Sequence, residues 1–284
     1  MQTVTTLNSL RSAVDELRLR GTIALVPTMG ALHDGHLTLV REAKARAASV
    51  VVSIFVNPAQ FGPAEDFASY PRRLVADAEL LEAEGVALLW APPAEVVYPP
   101  GFSSKITVSG VSGGLCGATR QGHFDGVATV VAKLFNQVLP DFALFGEKDW
   151  QQLAVIRRMA RDLDLSRPHA DAIFGVPTVR EEDGLALSSR NAYLSADDRA
   201  RAVVLPDAMQ ACIAAIEAGG PVGDALAALE AALLAGGFTS VDYAVLADAV
   251  SLEPLDAKPV APARLLVAAR IGGTRLIDNM GVKP

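Results

Sequence analysis

The chain has 284 residues, enough for one large or two modest domains with a buried core. Hydrophobic residues make up 51% and charged residues 20%, which excludes a disordered chain and fits a folded soluble protein. The formal net charge of −7 excludes a nucleic-acid binder that depends on a broad basic face, though not a small positive cleft.

Leu7, Leu10, Val14 and Leu17 recur at helical spacing, and Gly21 ends that helix. Residues 22–26 are apolar and β-branched, a short buried strand. Next comes Pro27-Thr28-Met29-Gly30-Ala31-Leu32-His33-Asp34-Gly35-His36, after which Leu37 and Val40 resume a helical pattern. The stretch is therefore a strand-to-helix turn. Residues 49–56 are almost uniformly apolar, as in a strand buried on both faces of a parallel sheet, and Asn57-Pro58-Ala59-Gln60 breaks them. Residues 71–84 predict a charged amphipathic helix stopped by Gly85, and 86–90 the next strand. Pro92, Pro93, Pro99 and Pro100 mark an irregular connection, with a short strand expected at 105–109. Residues 125–139 are helical and end at Pro140; 142–145 form a strand with Gly146-Glu147-Lys148-Asp149 as its exit. A helix over 150–163 and a strand over 172–176 follow. Alternating strands and helices predict an α/β fold, a doubly wound, Rossmann-like parallel sheet over residues 1–176. Beyond it, Ser195-Ala196-Asp197-Asp198 looks like a helix N-cap. Alanine-rich helices run to about residue 234, and strands are expected at 241–246, 264–269 and 274–279. Residues 177–284 are thus expected to form a smaller α+β domain.

Ligands of an open parallel sheet bind outside the carboxyl ends of its strands, and the polar clusters fall there. His33 and His36, two of four histidines, arrive where a new helix presents unpaired N–H groups and the positive end of its dipole, a place for phosphate. The pair also suits a metal half-site or a surface pair. The His-x-Gly-His pattern is similar to that of the nucleotidyltransferase superfamily. Asn57 and Gln60 follow the second strand; Lys148 and, one turn on, Gln152 follow a later one; Ser188-Ser189-Arg190 lies past the last. Lys148 at a helix start suits an anionic partner but also an ordinary surface lysine. The Ser-Ser-Arg run offers hydroxyls and a guanidinium fork to phosphate, or is a plain turn. Gln60 and Gln152 are neutral amides able to orient a hydroxy acid, or to brace loops. Arg120 and His123 read as structural bracing near Gly113-Gly114-Leu115-Cys116-Gly117, and Asp77 as part of a solvated helix face. No cluster has the spacing of a structural zinc site. Cys116 and Cys212 form no motif, no signal peptide is evident and no apolar run spans a bilayer, so the expectation is a cytoplasmic protein with neither nucleic-acid nor membrane partners.

Five segments carry a resemblance: residues 27–36 as quoted above, Phe55-Val56-Asn57-Pro58-Ala59-Gln60-Phe61, Gly122-His123-Phe124-Asp125-Gly126-Val127, Phe145-Gly146-Glu147-Lys148-Asp149, and Asp183-Gly184-Leu185-Ala186-Leu187-Ser188-Ser189-Arg190-Asn191. In this order they resemble the pantothenate synthetase (pantoate–β-alanine ligase) family over essentially the whole chain. The resemblance implies that ATP and pantoate form pantoyl adenylate and pyrophosphate, and that β-alanine then displaces AMP to give pantothenate, on the route to coenzyme A. It implies Mg2+ with the ATP, a cytoplasmic homodimer and a small domain that closes over the nucleotide. It implies ATP contacts at Met29, Gly30, His33, Gly35, His36, Gly146, Lys148, Asp149, Val179, Leu187, Ser188, Ser189 and Arg190. Of these His36 matches the catalytic acid, with His33, Lys148 and Arg190 sharing catalysis. Gln60, Gln152 and Asn57 match the substrate-binding positions, and Asp77 a metal-associated one. A plain adenylyltransferase would need a cationic site for a phosphorylated acceptor where this chain offers two glutamines. A non-enzymatic nucleotide sensor would need neither those amides nor the histidine.

Overall fold

Apolar strands separated by amphipathic helices assemble into a parallel sheet. The computed structural model describes every residue except Ala64. The chain divides into two units, Met1–Glu147 with Gln152–Pro177, and Lys148–Gln151 with Thr178–Pro284. The first unit's segments contain β1 (Gln2–Val4), α1 (Leu7–Arg18), β2 (Ile23–Thr28), α2 (Asp34–Lys44), β3 (Ser49–Ile54), α3 (Leu74–Ala83), β4 (Leu88–Trp90), the short α4 (Ala94–Val97) and α5 (Leu115–Thr119), α6 (His123–Val138), β5 (Phe142–Gly146), most of α7 (Trp150–Asp162) and β6 (Ile173–Val176). The strands lie in the order β1-β4-β3-β2-β5-β6, and every pairing is parallel.

The chain steps outward from β2 to β3 and β4, then returns to β5 on the other side of β2. That reversal makes the carboxyl ends of β2 and β5 the switch point, where such sheets bind ligands. Val50 and Val52 of β3 join Leu39, Val40 and Ala43 of α2 and Leu81 of α3 in one buried cluster. Helix α6 buries Val127, Val130, Val131, Leu134 and Phe135, and its Gln137 accepts a hydrogen bond from the Trp90 indole at 3.1 Å.

Three local expectations change. Strand β1 was not foreseen, because it has three residues of which only Val4 is buried, and it exists by pairing with β4. Residues 105–109 are not a strand; the Ile106 N–H donates instead to Thr129 Oγ1 on α6 at 2.9 Å. Helix α3 starts at Leu74 rather than at 71, and its Asp77 is only 2% exposed, so the acidic face is not all solvated.

In the second unit α8 (Ala196–Arg201), α9 (Val204–Glu217) and α10 (Val222–Ala235) accompany an antiparallel sheet of β7 (Ser240–Asp248), β8 (Ala263–Ile271) and β9 (Thr274–Val282), in the order β7-β8-β9. Ser195 caps α8 as expected, its hydroxyl accepting from the Asp198 N–H at 3.1 Å. Leu205, Met209, Ile216, Leu229 and Leu233 pack with Leu246, Leu265, Val267 and Leu276 in the core of this unit.

Candidate active site

The turn after β2 is shaped by its backbone. Thr28 Oγ1 donates to the Ser53 carbonyl at 2.9 Å and accepts from the Gly30 N–H at 3.2 Å, tying the turn to β3. Gly30 has φ +84°, and a Cβ there would lie 3.0 Å from Asp77 Oδ2 and 3.1 Å from Ile54 Cγ2. Glycine thus meets both the conformation and the close approach. The Ala31 and Leu32 N–H groups donate to Asp77 Oδ2 and Oδ1, each at 2.9 Å. Both carboxylate oxygens therefore serve the backbone, and no group of three or more His, Cys, Asp or Glu positioned for a metal occurs among the described residues. The buried Asp77 carboxylate thus braces the turn.

His33 is the N-cap of α2, and His36 lies in its first turn. The His33 N–H donates to His36 Nδ1 at 3.3 Å, and the two ring centroids are 4.1 Å apart. With Nδ1 accepting, a neutral His36 ring carries its proton on Nε2. Both imidazoles sit at the positive end of an eleven-residue helix, where developing negative charge is stabilised.

After β3 the chain makes a single 3-10 turn, Pro58–Gln60. Asn57, 1% exposed, organises it. Its Oδ1 accepts from the Tyr98 hydroxyl at 2.7 Å and from the Ala59 N–H at 3.2 Å. Its Nδ2 donates to Gln60 Oε1 and to the Gly126 carbonyl, both at 3.1 Å. Two donor and two acceptor positions are all an amide has, and Asn57 uses all four in a bracket that aims Gln60. Burial pushes the Tyr98 phenol up to about 12, which keeps it a donor at neutral pH. Gln60 Nε2 lies 3.1 Å from Met29 Sδ, which brings the turns after β2 and β3 together.

Arg120 and His123 brace as expected, but what they hold is the Gln60 turn. His123 Nδ1 donates to the Gln60 carbonyl at 2.8 Å, and Arg120 Nη1 donates to His123 Nε2 at 2.9 Å. Arg120 also grips Glu65 through two bonds of 2.7 Å, and this guanidinium holds the Glu65 carboxyl below its ordinary range. Helix α6 comes so close that a Cβ on Gly126 would lie 2.2 Å from the Ala59 carbonyl oxygen.

The remaining candidates divide between the units. Gly146, paired with Val176 at the end of β5, and the half-buried Gln152 belong to the first. Lys148, Asp149, Val179, Leu187, Ser188, Ser189 and Arg190 belong to the second. There the Val179 carbonyl accepts from the Leu187 N–H at 2.9 Å, and Ser188 Oγ accepts from the Arg190 N–H at 3.2 Å to start a 3-10 turn, Ser189–Tyr193. Tyr98, Glu65 and Gly126 were not singled out as supports of Gln60. The only sequence signal was the pair of glycines flanking His-Phe-Asp, Gly122 and Gly126.

A model of the Pantoate-beta-alanine ligase family matches residues 2–281. The chain belongs to this family. Within the ligase family it is similar to the pantothenate synthetase of Novosphingobium aromaticivorans, 68% identical over 285 residues and 100% of both chains, and to that of Sphingopyxis alaskensis, 61% identical over 99% of this chain and 100% of the relative. A crystal structure of the Thermus thermophilus pantothenate synthetase superposes with a TM-score of 0.93 at 50% identity, covering 100% of each chain. The pantoate-beta-alanine ligase of Francisella tularensis, solved with beta-gamma ATP and beta-alanine, gives 0.82 at 32% identity over 99% of this chain and 97% of that one.

Gly126→Ala should destabilise the protein by about 1–3 kcal/mol, because the Ala59 carbonyl or the helix must move. Urea unfolding measures this, and an unchanged midpoint would show that the contact is soft. Glu65 titrates with a lowered folded-state pKa, so its ion pair adds stability above the unfolded-state value of about 4.3. That contribution is lost as pH falls through the lower folded value. Glu65→Gln should therefore be less stable than wild type at pH 7, with the gap narrowing as acid is added; a gap independent of pH would remove the ion pair as its cause.

Proposed function

We propose that this chain joins pantoate to β-alanine in two steps driven by ATP. A pantoate carboxylate oxygen attacks the α-phosphorus, the bond to the bridging oxygen breaks, and pyrophosphate leaves. The β-alanine amine then attacks the acyl carbon of pantoyl adenylate, the acyl C–O bond breaks, AMP leaves, and the amine gives up its proton. What carries this proposal is the family match across residues 2–281. The relative solved with beta-gamma ATP and beta-alanine supports it.

The residue types suit the chemistry. A carboxylate resists amine attack because oxide is a poor leaving group, and adenylation supplies a better one. The first step gathers negative charge around the α-phosphorus. In this proposal His33 and His36 meet that charge from the start of α2, His36 donating from Nε2. Lys148 and Arg190 add positive charge, and Ser188 and Ser189 add hydroxyls. The backbone at Met29, Gly30, Gly35, Gly146, Asp149, Val179 and Leu187 completes the nucleotide site. Gln60 and Gln152 would orient pantoate with neutral amides, which leave its carboxylate nucleophilic. Gln60 is already held on two sides, by Asn57 and Met29, so little side-chain entropy is lost on binding.

Mg2+ belongs to this proposal as part of the nucleotide substrate. Phosphate-bound magnesium keeps several waters and needs few protein ligands. The homodimer and the cytoplasmic location remain part of the same proposal. No helix among the described residues is long and apolar enough to cross a membrane.

His36→Ala should abolish pantoate-dependent pyrophosphate exchange while the protein stays folded. Near-normal exchange would remove His36 from catalysis. Gln60→Ala should raise the KM for pantoate by about 10-fold or more, the cost of roughly one hydrogen bond to a charged group. An unchanged KM in steady-state assays counts against that contact.

A further inference from the structure

Strand β9 carries a buried Asp278-Asn279 pair that the chemistry above does not use. We infer that this pair, with Arg264 on β8, is the positioning element for Lys148 and for the segment around Val179. The inference rests on the nucleotide site proposed above. It concerns side chains that touch no substrate.

Asn279 is 3% exposed, and the bonds of its side chain converge on one place. Its Nδ2 donates to the Lys148 carbonyl at 2.9 Å, and its Oδ1 accepts from Arg264 Nη1 at 2.7 Å. The Arg264 guanidinium carbon also lies 3.5 Å from the centroid of the Trp150 ring. The Trp150 indole N–H in turn donates to the Ala249 carbonyl at 2.9 Å. Residues 148–150 are thus fastened at both ends, Lys148 by its backbone and Trp150 by its side chain.

The neighbouring Asp278 does the same for a second segment. At 2% exposure it receives two bonds from Arg180, at 2.7 and 2.9 Å, and accepts from the Asn279 N–H at 2.7 Å. Arg180 follows Val179 and also donates to the Gly184 carbonyl at 3.0 Å, closing the stretch that leads to Leu187 and Ser188. Successive side chains leave a strand on opposite faces. One dipeptide can therefore support two segments at once.

Burying a carboxylate and an amide in a strand costs stability unless both are fully bonded, and apolar residues pack as well without that demand. The pair makes sense by what it holds. A lysine side chain is long and flexible, so only its backbone can be placed in advance. A displacement of about 1 Å at such a site is enough to cost on the order of 100-fold in rate.

The test is pantoate-dependent ATP–pyrophosphate exchange with the full chain. Asn279→Asp keeps the acceptor for Arg264 and loses the donor to Lys148. It should lower kcat by about 10- to 100-fold, with the pantoate KM changed less than about twofold. In a Lys148→Ala background the same change should cause no further loss, because Asn279 acts through Lys148. Wild-type kcat in Asn279→Asp, or a loss that multiplies with that of Lys148→Ala, overturns the inference. Should Asn279→Asp not fold, Trp150→Phe keeps a smaller aromatic ring beside Arg264 and loses the N–H bond to the Ala249 carbonyl. It should show the same pattern with a loss of about threefold or more, and wild-type kcat there also overturns it. Lys148→Ala alone at wild-type rate would sink the proposed role of Lys148 itself, an outcome read without touching Asn279.

Discussion

The turn after β2 stands on one buried carboxylate. Asp77, on a helix more than forty residues away in sequence, takes the N–H groups of Ala31 and Leu32. A carboxylate accepting backbone N–H bonds makes charge-assisted contacts, stronger than neutral ones. Those contacts hold the backbone where a Cβ on Gly30 would lie 3.0 Å from the same carboxylate. The imidazoles of His33 and His36 inherit their positions from this backbone. Without the carboxylate, the Thr28 bonds alone would tie the turn that leads into the histidines.

A second support works by exhausting hydrogen-bonding capacity. Asn57 uses both donors and both acceptors on protein groups, and so it defines where Gln60 can be. Around it the Glu65–Arg120–His123 relay ends on the Gln60 carbonyl. The side chain and the main chain of Gln60 are restrained by separate networks. This is the organisation expected where a binding group must be ready before its ligand arrives.

Periodicity and turn residues made the sheet legible from the amino-acid sequence. Residues 49–56 were apolar enough to show a strand covered on both sides, and the β2 turn announced itself by two glycines and two histidines. Strand β1 left no pattern, since three residues cannot display a period and its existence depends on β4. The segment at 105–109 was β-branched enough to suggest a strand, but its N–H found a threonine hydroxyl instead. Asp77 looked like one acidic residue among several on a helix. What distinguishes it is a tertiary contact, and local sequence does not encode tertiary contacts. The same holds for Tyr98 and Asn279, whose partners lie 41 and 131 residues away in the chain.

The second unit is assembled from two pieces of chain, a four-residue stretch and everything after Pro177. A unit built this way cannot be excised by one cut. A fragment ending at Pro177 would keep the Trp150 indole but lose both Arg264 and Ala249, leaving a large ring and its N–H to water. A fragment beginning at Thr178 would keep Asn279 with its donor facing no Lys148 carbonyl. Separating the halves at residue 177 would therefore damage each of them.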